Sequence, residues 1–346
     1  MRKSRVIILA VFVVLMSMMA ACGGSVAEIN GSHYQIRAIA RPYTFNFVSW
    51  EASTLYSLLK EKVCADSSPA VENKLRQRIE SLLLENGIKI FPPLNFKLED
   101  PPHLLVISPR DKIYYLDRVL LRQDLSEADA SRIEAEVDKL GVSSLVTELG
   151  GFGATYPPIV GADYRMNFVI DTIVEEWLHQ YLAFKPLGFR YVLDSLGIKK
   201  NPDLIIMNET LAGMVSRDIG AQVYNRYYAG TQRNDTEKQR TDFNFDNKMR
   251  KTRQQVDLLL AMGKIDEAES YMEQRRLVFV SHGYNIRKLN QAYFAFHNIY
   301  GHDPASISPI KGELELLRDR STSLKDFLDR ASGMRSYGDL LKMLSE

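Results

Sequence analysis

Two amphipathic helical segments near the middle of the chain carry the side chains that most constrain its fold and chemistry. In the first, from about residue 164 to residue 184, apolar residues recur at helical spacing and form a stripe. Glu175, Glu176 and His179 fall on the opposite side, within an arc of about 100°. Since Glu175 and His179 are one turn apart, they project together and could hold one ion, with Glu176 beside them. An ordinary solvated polar face is the alternative.

The second segment, from residue 204 to about residue 228, has a face of small residues. Glu209, Gly213, Ser216 and Gly220 share this face, at spacings of four, seven and eleven. Small residues would let the helix approach a neighbour closely, which Glu209 needs if it is to reach an ion held by the first helix. The alternative is a simple packing groove, with Glu209 as a solvated acid near the helix N-terminus.

The two segments together resemble the gluzincin zinc peptidases, in which an HExxH helix supplies two His ligands and a Glu base. Residues 174–182 read Val-Glu-Glu-Trp-Leu-His-Gln-Tyr-Leu and are similar to bacterial members with His-Glu-Trp-Leu-His at this point. Residues 208–212, Asn-Glu-Thr-Leu-Ala, resemble the helix of the third ligand, and residues 287–296 resemble a late helix. The resemblance covers roughly residues 70–345, and Glu175 stands in place of the first His.

The resemblance implies a role for each residue of the motif. His179 and Glu209 would be zinc ligands, Glu176 would be the general base, and Glu175 would take the place of the missing ligand. Gluzincins often carry an acid four residues after the third ligand that hydrogen-bonds the first His, and this chain has Gly213 there. A carboxylate at that position would face Glu175, and like charges at close range are unfavourable. The two departures fit a remodelled site and equally a decayed one.

The expected cofactor is zinc, bound more weakly than in a site with two His ligands. Two carboxylate ligands leave the metal less positive, so that its water is less acidic. Manganese, or no metal at all, is the alternative. Without metal, the three carboxylates should repel one another and raise the pKa of at least one of them.

A candidate transition-state stabiliser comes from a later segment. Zinc peptidases use a Tyr or His from another helix to stabilise the oxyanion, and Tyr293 and His297 lie four positions apart in a predicted helix from residue 286 to residue 300. The alternative is that both residues pack in an aromatic stripe.

The N-terminus indicates where the protein is located. Basic residues precede an apolar stretch from Val6 to Met19, which has signal-peptide length, and Ala20-Ala21-Cys22-Gly23 resembles a bacterial lipobox. We therefore expect a lipoprotein signal peptide at 1–21 and a lipidated Cys22 that anchors the protein on the extracytoplasmic side of a membrane. An ordinary secretory signal is the alternative. Cys64, the other cysteine, would then be unpaired.

The predicted fold class is α+β and mainly helical, with a small N-terminal sheet, metallopeptidase-like helices and a helical C-terminal half. A tether at 22–33 would precede an α+β gluzincin-like metallopeptidase domain at 34–230 and a helical C-terminal region at 231–346. Strands are predicted at 88–91, 94–98, 104–108 and 143–149. The stretch 145–156 is a candidate edge strand above the metal helix, although its glycines would suit a plain turn.

These expectations define the function classes that remain open. The net charge of +1 gives no overall field that would attract nucleic acid. The expected partners are therefore a peptide or protein substrate in a groove, and a membrane through Cys22. The favoured function is a membrane-anchored, extracytoplasmic metallopeptidase. Whether it is an active enzyme stays open, and the alternative is an inactive pseudopeptidase or a peptide-binding envelope lipoprotein.

Overall fold

The computed structural model describes residues 32–61, 70–162, 164–195, 201–229, 243–301 and 303–346. The predicted signal peptide, Cys22 and Cys64 lie outside these ranges. The described residues form a mainly helical α+β fold, as the sequence predicts. The helices are α1 Ser32–Ala40, α2 Phe47–Glu61, α3 Ala70–Glu85, α4 Glu127–Asp138, α5 Met166–Leu182, α6 Pro186–Ser195, α7 Pro202–Tyr227, α8 Phe245–Ala261, α9 Ile265–Ser281, α10 Gln291–Asn298, α11 Ile310–Asp319, α12 Leu324–Ser332 and α13 Tyr337–Ser345.

The strands form two small sheets of three strands each. They are β1 Lys97–Leu98, β2 His103–Pro109, β3 Asp117–Leu121, β4 Val142–Glu148, β5 Gly151–Phe152 and β6 Ile159–Val160. In the larger sheet β2 lies between β3 and β4 and is antiparallel to both. In the smaller sheet β6 lies between β1, to which it is parallel, and β5, to which it is antiparallel. Strands are therefore present at the N-terminal side, but not all of them lie where they were predicted.

The differences from the predicted strands have a local cause. Residues 88–91 form no strand, and of 94–98 only Lys97 and Leu98 pair. Pro92 and Pro93 lie between these stretches, and proline has no N–H to donate to a ladder. Strand β3 was not predicted. Its residues alternate between buried and half-buried positions, as expected for a strand with a different environment on each face.

The larger sheet separates two layers of apolar packing. Leu105, Ile107 and Val119 face α1 and α4, in one buried cluster. Leu104, Val106, Leu120 and Leu145 face the other way and pack in a cluster with Phe296 of α10. Since α10 lies across β2 and β4, the C-terminal region covers the sheet of the predicted N-terminal domain.

Helices α5 and α7 lie side by side and form the centre of the fold. Asn201 caps α7 by accepting a hydrogen bond from the Leu204 N–H, and Pro202 stands in the first turn, where no N–H is needed. Gly220 approaches α5 so closely that a Cβ there would overlap the carboxylate of Asp171. The close approach predicted from the small-residue face is therefore confirmed at Gly220.

The apolar side of α5 lies in the main core. Trp177 is fully buried, and its Nε1–H donates to the Pro92 carbonyl at 2.9 Å. The same core contains Leu211 of α7, Leu314 of α11 and Phe327 of α12. Packing thus continues across the predicted boundary at residues 230 and 231, and the helical C-terminal residues help to hold α7 in place. Within the described residues, no helix is long and apolar enough to span a membrane.

Candidate metal centre

Three ligand-type side chains converge where α5 and α7 meet. One donor atom each from Glu175, His179 and Glu209 lies within 4.8 Å of the other two. Glu175 and His179 are half-buried and Glu209 is buried. Two carboxylate oxygens and an imidazole nitrogen form a donor set that zinc accepts. The predicted convergence is therefore confirmed, and the cluster could hold a metal ion.

His179 is oriented by a residue on the neighbouring helix. Its Nδ1 lies 2.8 Å from Oδ1 of Asn208, which can only accept, so that Nδ1–H is the donor. The other ring nitrogen, Nε2, then faces Glu209 Oε2 at 3.4 Å. A hydrogen bond to one ring nitrogen that leaves the other for a metal is typical of His ligands. The sequence reasoning gave Asn208 no role, although it directly precedes Glu209 in the motif.

Tyr191 of α6 completes the surroundings of His179 and Glu209. Its hydroxyl donates to Glu209 Oε1 at 3.1 Å, and its ring stacks on the His179 ring with a centroid separation of 6.2 Å. Sequence reasoning missed Tyr191, because its helix was not assigned and no spacing connects it to the motif. Burial, followed by the charge of Glu209, raises the pKa of the Tyr191 phenol, which therefore remains a hydrogen-bond donor.

The electrostatics of the cluster favour an internal ion pair between His179 and Glu209. Burial is the largest single influence on the pKa of His179 and acts to lower it, but the charges of Glu209, Glu176 and Glu175 and the hydrogen bond to Glu209 together raise it to about 10. Burial alone would raise the pKa of Glu209, but the charge of His179 and hydrogen bonds from His179 and Tyr191 lower it. At neutral pH the metal-free cluster thus contains an imidazolium and a carboxylate.

The other two carboxyl groups behave differently. Burial is the largest cause that raises the pKa of Glu175 to about 7 and that of Glu176 to about 8, and the charge of Glu209 adds to both. The imidazolium of His179 acts in the opposite direction on each. The pKa of a carboxylate thus rises without metal in the predicted direction, and for two groups, although burial and not the predicted repulsion is the largest cause.

The glycine-rich segment after β4 closes over Glu176. A Cβ at Gly151 or at Gly153 would overlap the Glu176 carboxylate, so only glycine lets this backbone approach so closely. The Gly153 N–H also interacts with that carboxylate and partly lowers its pKa. Gln180 of α5 holds the segment by donating to the Thr155 carbonyl at 2.9 Å. The predicted edge strand at 145–156 is not continuous. Strand β4 ends at Glu148, β5 covers Gly151–Phe152, and the chain turns between them.

Arg217 brings a positive charge close to position 213, where gluzincins often have an acid. Arg217 of α7 donates through Nε to the Gly213 carbonyl at 2.9 Å. Its positive charge acts to lower the pKa of Glu175, while Asp171, one turn before Glu175, acts to raise it. The absence of a carboxylate at Gly213 is thus accompanied by an arginine that favours ionised Glu175.

Tyr293 and His297 contact each other, and His297 also contacts a loop acid. The His297 Nδ1 lies 2.7 Å from Asp303 Oδ2, and the His297 and Tyr293 rings are 4.1 Å apart. The transition-state role of this pair stays a prediction.

Tyr300 is a further phenol near the cluster. Burial is the largest cause that raises its pKa well above the usual value, and the charges of Glu209, Glu175 and Glu176 add to this rise. Tyr300 lies seven positions after Tyr293, a helical spacing that could have identified it.

Comparisons of this chain with protein-family models, with curated proteins and with solved structures found no match. The functional argument therefore depends on the geometry and electrostatics of the cluster. The resemblance to gluzincins remains a hypothesis based on the motif around Glu175 and Glu209.

Proposed function

We propose that this protein is a metallopeptidase that binds one divalent ion, with zinc as the first choice and manganese as the alternative. Glu175, His179 and Glu209 are the proposed ligands. The observation that carries the proposal is the convergence of their donor atoms within 4.8 Å. The Asn208 contact to Nδ1 of His179 adds support, because it leaves Nε2 directed into the cluster.

Each ligand must be deprotonated before an ion can bind. Glu209 already has a lowered pKa, whereas Glu175 and His179 must lose protons held at a pKa of about 7 and about 10. When bound, zinc acidifies a water molecule and polarises a carbonyl group. Arg217 favours the ionised form of Glu175 and so supports the ligand role of this residue.

Glu176 is the proposed general base. Burial raises its pKa to about 8, close to neutral pH, and a carboxylate with such a pKa accepts a proton more readily than an exposed one. The close backbone of Gly151 and Gly153 limits where the Glu176 carboxylate can turn, which holds it beside the ligands. Glu176 would take the proton from water and pass it to the leaving amine of the peptide. Tyr300, which keeps its proton, is a candidate donor to the developing oxyanion.

The proposed location is the extracytoplasmic side of a bacterial membrane. The support is the lipobox-like sequence that ends at Cys22, after an apolar stretch of signal-peptide length. Lipid on Cys22 would tether the described residues outside the membrane, where peptides of the envelope would be the substrates.

One observation favours a second candidate, a pseudopeptidase that binds peptides without hydrolysis. The ion pair between His179 and Glu209 neutralises both groups without any metal. The cluster therefore needs no ion to balance these two charges. A metal would have to displace the proton on Nε2 of His179 before it could bind there. The two candidates share the fold and the cluster of Glu175, His179 and Glu209, and they differ in whether an ion is held.

A hydrolysis assay with a matched variant tests the proposal. The purified chain, with zinc or manganese added, is incubated with a mixture of synthetic peptides, and products are followed by mass spectrometry. We expect cleavage that disappears on chelation and that falls by at least about a hundredfold in Glu176→Gln, because the base is lost while the ligands remain. Absence of cleavage with both metals, or equal cleavage by Glu176→Gln, would reject the catalytic proposal.

A further inference from the structure

Three exposed phenylalanines lie around the junction of α5 and α6. The exposed fraction is 42% for Phe91, 41% for Phe184 and 52% for Phe189. The rings of Phe91 and Phe184 are in contact, with a centroid separation of 5.0 Å. The Phe189 N–H donates to the Lys185 carbonyl at 2.8 Å, so Phe189 lies one helical turn beyond the residue that follows Phe184. Contiguous exposed apolar residues, unlike single ones, mark a contact surface.

The backbone that carries two of these rings is fixed by hydrogen bonds. The Trp177 Nε1–H donates at 2.9 Å to the carbonyl of Pro92, which directly follows Phe91. The Phe184 N–H donates to the Tyr181 carbonyl at 3.3 Å, which continues the last turn of α5. Trp177 is itself fully buried, so the main core holds the segment of Phe91 in place. The exposure of these rings is therefore a property of the packed fold.

Three cations accompany the three rings. Lys89 is exposed, Lys185 and Arg190 are half-buried, and each lies within two positions of one of the phenylalanines. Among the residues that the structure describes, none of the three cations pairs with a carboxylate within 4.0 Å. Asp194, one turn after Arg190, instead accepts a hydrogen bond from the Asn201 N–H. The three positive charges thus remain available to an anionic partner.

We call the surface formed by these six residues the aromatic-basic face: Lys89, Phe91, Phe184, Lys185, Phe189 and Arg190. We propose that this face docks on a lipid bilayer that contains anionic lipids. The inference goes beyond the proposed function and requires no bound ion. Phenylalanine rings enter the boundary between headgroups and acyl chains, while basic side chains nearby reach the lipid phosphates. The proposed lipid on Cys22 would hold the chain at such a surface.

The size of the face favours a bilayer over a protein partner. A stable protein interface buries about 800 Å² on each side. Three phenylalanines that are about half exposed offer roughly 300 Å² of apolar area. Such an area is too small for a specific protein contact, but it suits a lipid surface, because anionic headgroups add attraction for each cation. A bilayer also needs no complementary shape.

Helix α6 lies between this face and the candidate metal centre. Phe189 and Tyr191 are two positions apart, which places them about 200° apart around the helix. Phe189 is exposed, whereas the Tyr191 hydroxyl donates to Glu209 Oε1 at 3.1 Å. Docking would therefore place the metal centre roughly 10 Å from the lipid surface, which is the thickness of one helix.

Sedimentation with lipid vesicles tests the proposal. The chain from residue 22 carries Cys22→Ser, so that neither an attached lipid nor the apolar stretch before it can bind the vesicles. Its binding to phosphatidylcholine alone is compared with its binding to an equal mixture of phosphatidylcholine and phosphatidylglycerol. We expect the mixture to bind about a hundredfold more tightly, because each of three cations near an anionic surface contributes about fivefold. Equal binding to both would overturn the inference. So would no binding to the mixture, which would indicate a protein as the partner instead.

Charge variants test the cations themselves. The triple variant Lys89→Gln, Lys185→Gln and Arg190→Gln should lose most of the preference for the anionic mixture. Its matched control has the same net charge and replaces by glutamine three exposed cations of α8, namely Lys248, Arg250 and Lys251. The control should bind within about threefold of the unmutated chain, because its cations lie outside the face. Equal losses in the two triple variants would show a general charge effect and would overturn the inference.

Phe189→Ala tests the aromatic part, with Leu316→Ala as the control because Leu316 is also 52% exposed. We expect Phe189→Ala to weaken binding to the mixture by about threefold to tenfold and the control to leave it unchanged. Equal binding by Phe189→Ala and the unmutated chain would contradict the proposal.

Hydrogen exchange read by mass spectrometry locates the contact on the unmutated surface, and so it decides even if a variant does not fold. Added vesicles of the mixture should protect residues 88–93 and 184–190. Protection confined to other segments would overturn the inference.

Discussion

Nδ1 of His179 lies 2.8 Å from Oδ1 of Asn208, so that one central helix orients the ligand carried by the other. Asn208 immediately precedes Glu209, and the two residues act on opposite nitrogens of the same ring. The Asn-Glu pair thus contributes a proposed ligand and the group that fixes the orientation of another. A metal site of this kind depends on the packing of α5 against α7 as much as on its ligands.

Replacement of Asn208 by alanine should weaken zinc binding. Without the acceptor, His179 is free to turn or to change tautomer, and we expect the zinc dissociation constant to rise by about tenfold to a hundredfold. Asn208→Asp, which keeps an acceptor at the same place, is the matched control and should bind zinc at least as well as the unmutated chain. Competition with a chromophoric chelator measures both values. Equal affinity in Asn208→Ala and the unmutated chain would refute the orienting role.

Zinc affinity should rise with pH, because binding releases the protons of Glu175 and His179. The pKa of Glu175 is raised to about 7 and that of His179 to about 10, so both hold protons at low pH. Below pH 7 about two protons leave for each ion bound, and above it about one. The apparent dissociation constant should fall by about a hundredfold per pH unit below pH 7 and by about tenfold above. A chelator competition from pH 6 to pH 8.5 checks this, and a constant affinity would contradict it.

The first turn of α6 should not accept a larger residue than glycine at position 188. A Cβ at Gly188 would overlap the backbone carbonyl of Leu182, and backbone cannot move aside as a side chain can. We expect Gly188→Ala to lower the free energy of unfolding by about 1–3 kcal/mol. Zinc binding should also weaken, because Tyr191 of α6 donates a hydrogen bond to Glu209.

Gly312→Ala is the matched control for that change. Its Cβ would point into open space on α11, and alanine favours helix, so its stability should be unchanged or higher by up to about 1 kcal/mol. Urea unfolding of both variants gives the comparison. Gly188→Ala with the stability and zinc affinity of the unmutated chain would contradict the packing argument.

Glu51, on α2, should make the stability of the fold depend on pH. Burial raises its pKa to about 7, with the Tyr156 N–H opposing this through a hydrogen bond. Because the folded state holds this proton more tightly than the unfolded state, the contribution of Glu51 is most favourable below about pH 4.5 and is lost as the pH rises through 7.

Glu51→Gln removes that dependence while keeping an oxygen to accept from Tyr156. We expect the variant to be more stable than the unmutated chain by about 2–3 kcal/mol at pH 8 and by less than about 1 kcal/mol at pH 5. Glu315→Gln, at an exposed position, is the control and should show no such difference. Urea unfolding at both pH values measures the effect, and equal stability of Glu51→Gln and the unmutated chain at pH 8 would contradict it.

The parts of the site that follow helical spacing could be predicted from the sequence. One turn of helix brings Glu175 to His179, and the small residue Gly220 allows the approach that Glu209 needs. Tyr191 could not be predicted, because it comes from α6, and its closeness to Glu209 follows from tertiary packing. No periodicity within one segment contains that information.

The fold likewise has parts that local sequence signals predict and parts that depend on tertiary contacts. The Ser126 cap of α4 and the extents of α5 and α7 follow from local signals that the sequence displays. Strand β3 depends on pairing with β2, a partner elsewhere in the chain, and was not predicted. Residues 88–91, Ile-Lys-Ile-Phe, have strand-like composition but lie beside prolines and form no ladder.

The central claim is that Glu175, His179 and Glu209 hold a divalent ion, and a zinc titration by calorimetry tests it most directly. Glu209→Gln removes a ligand charge without changing shape, and Glu176→Gln changes the neighbouring acid that is not a proposed ligand. Glu175→His should bind zinc more tightly, because it supplies a second imidazole. We predict about one zinc ion per chain, retained in Glu176→Gln and lost in Glu209→Gln. No saturable binding by the unmutated chain, or undiminished binding by Glu209→Gln, would contradict the claim.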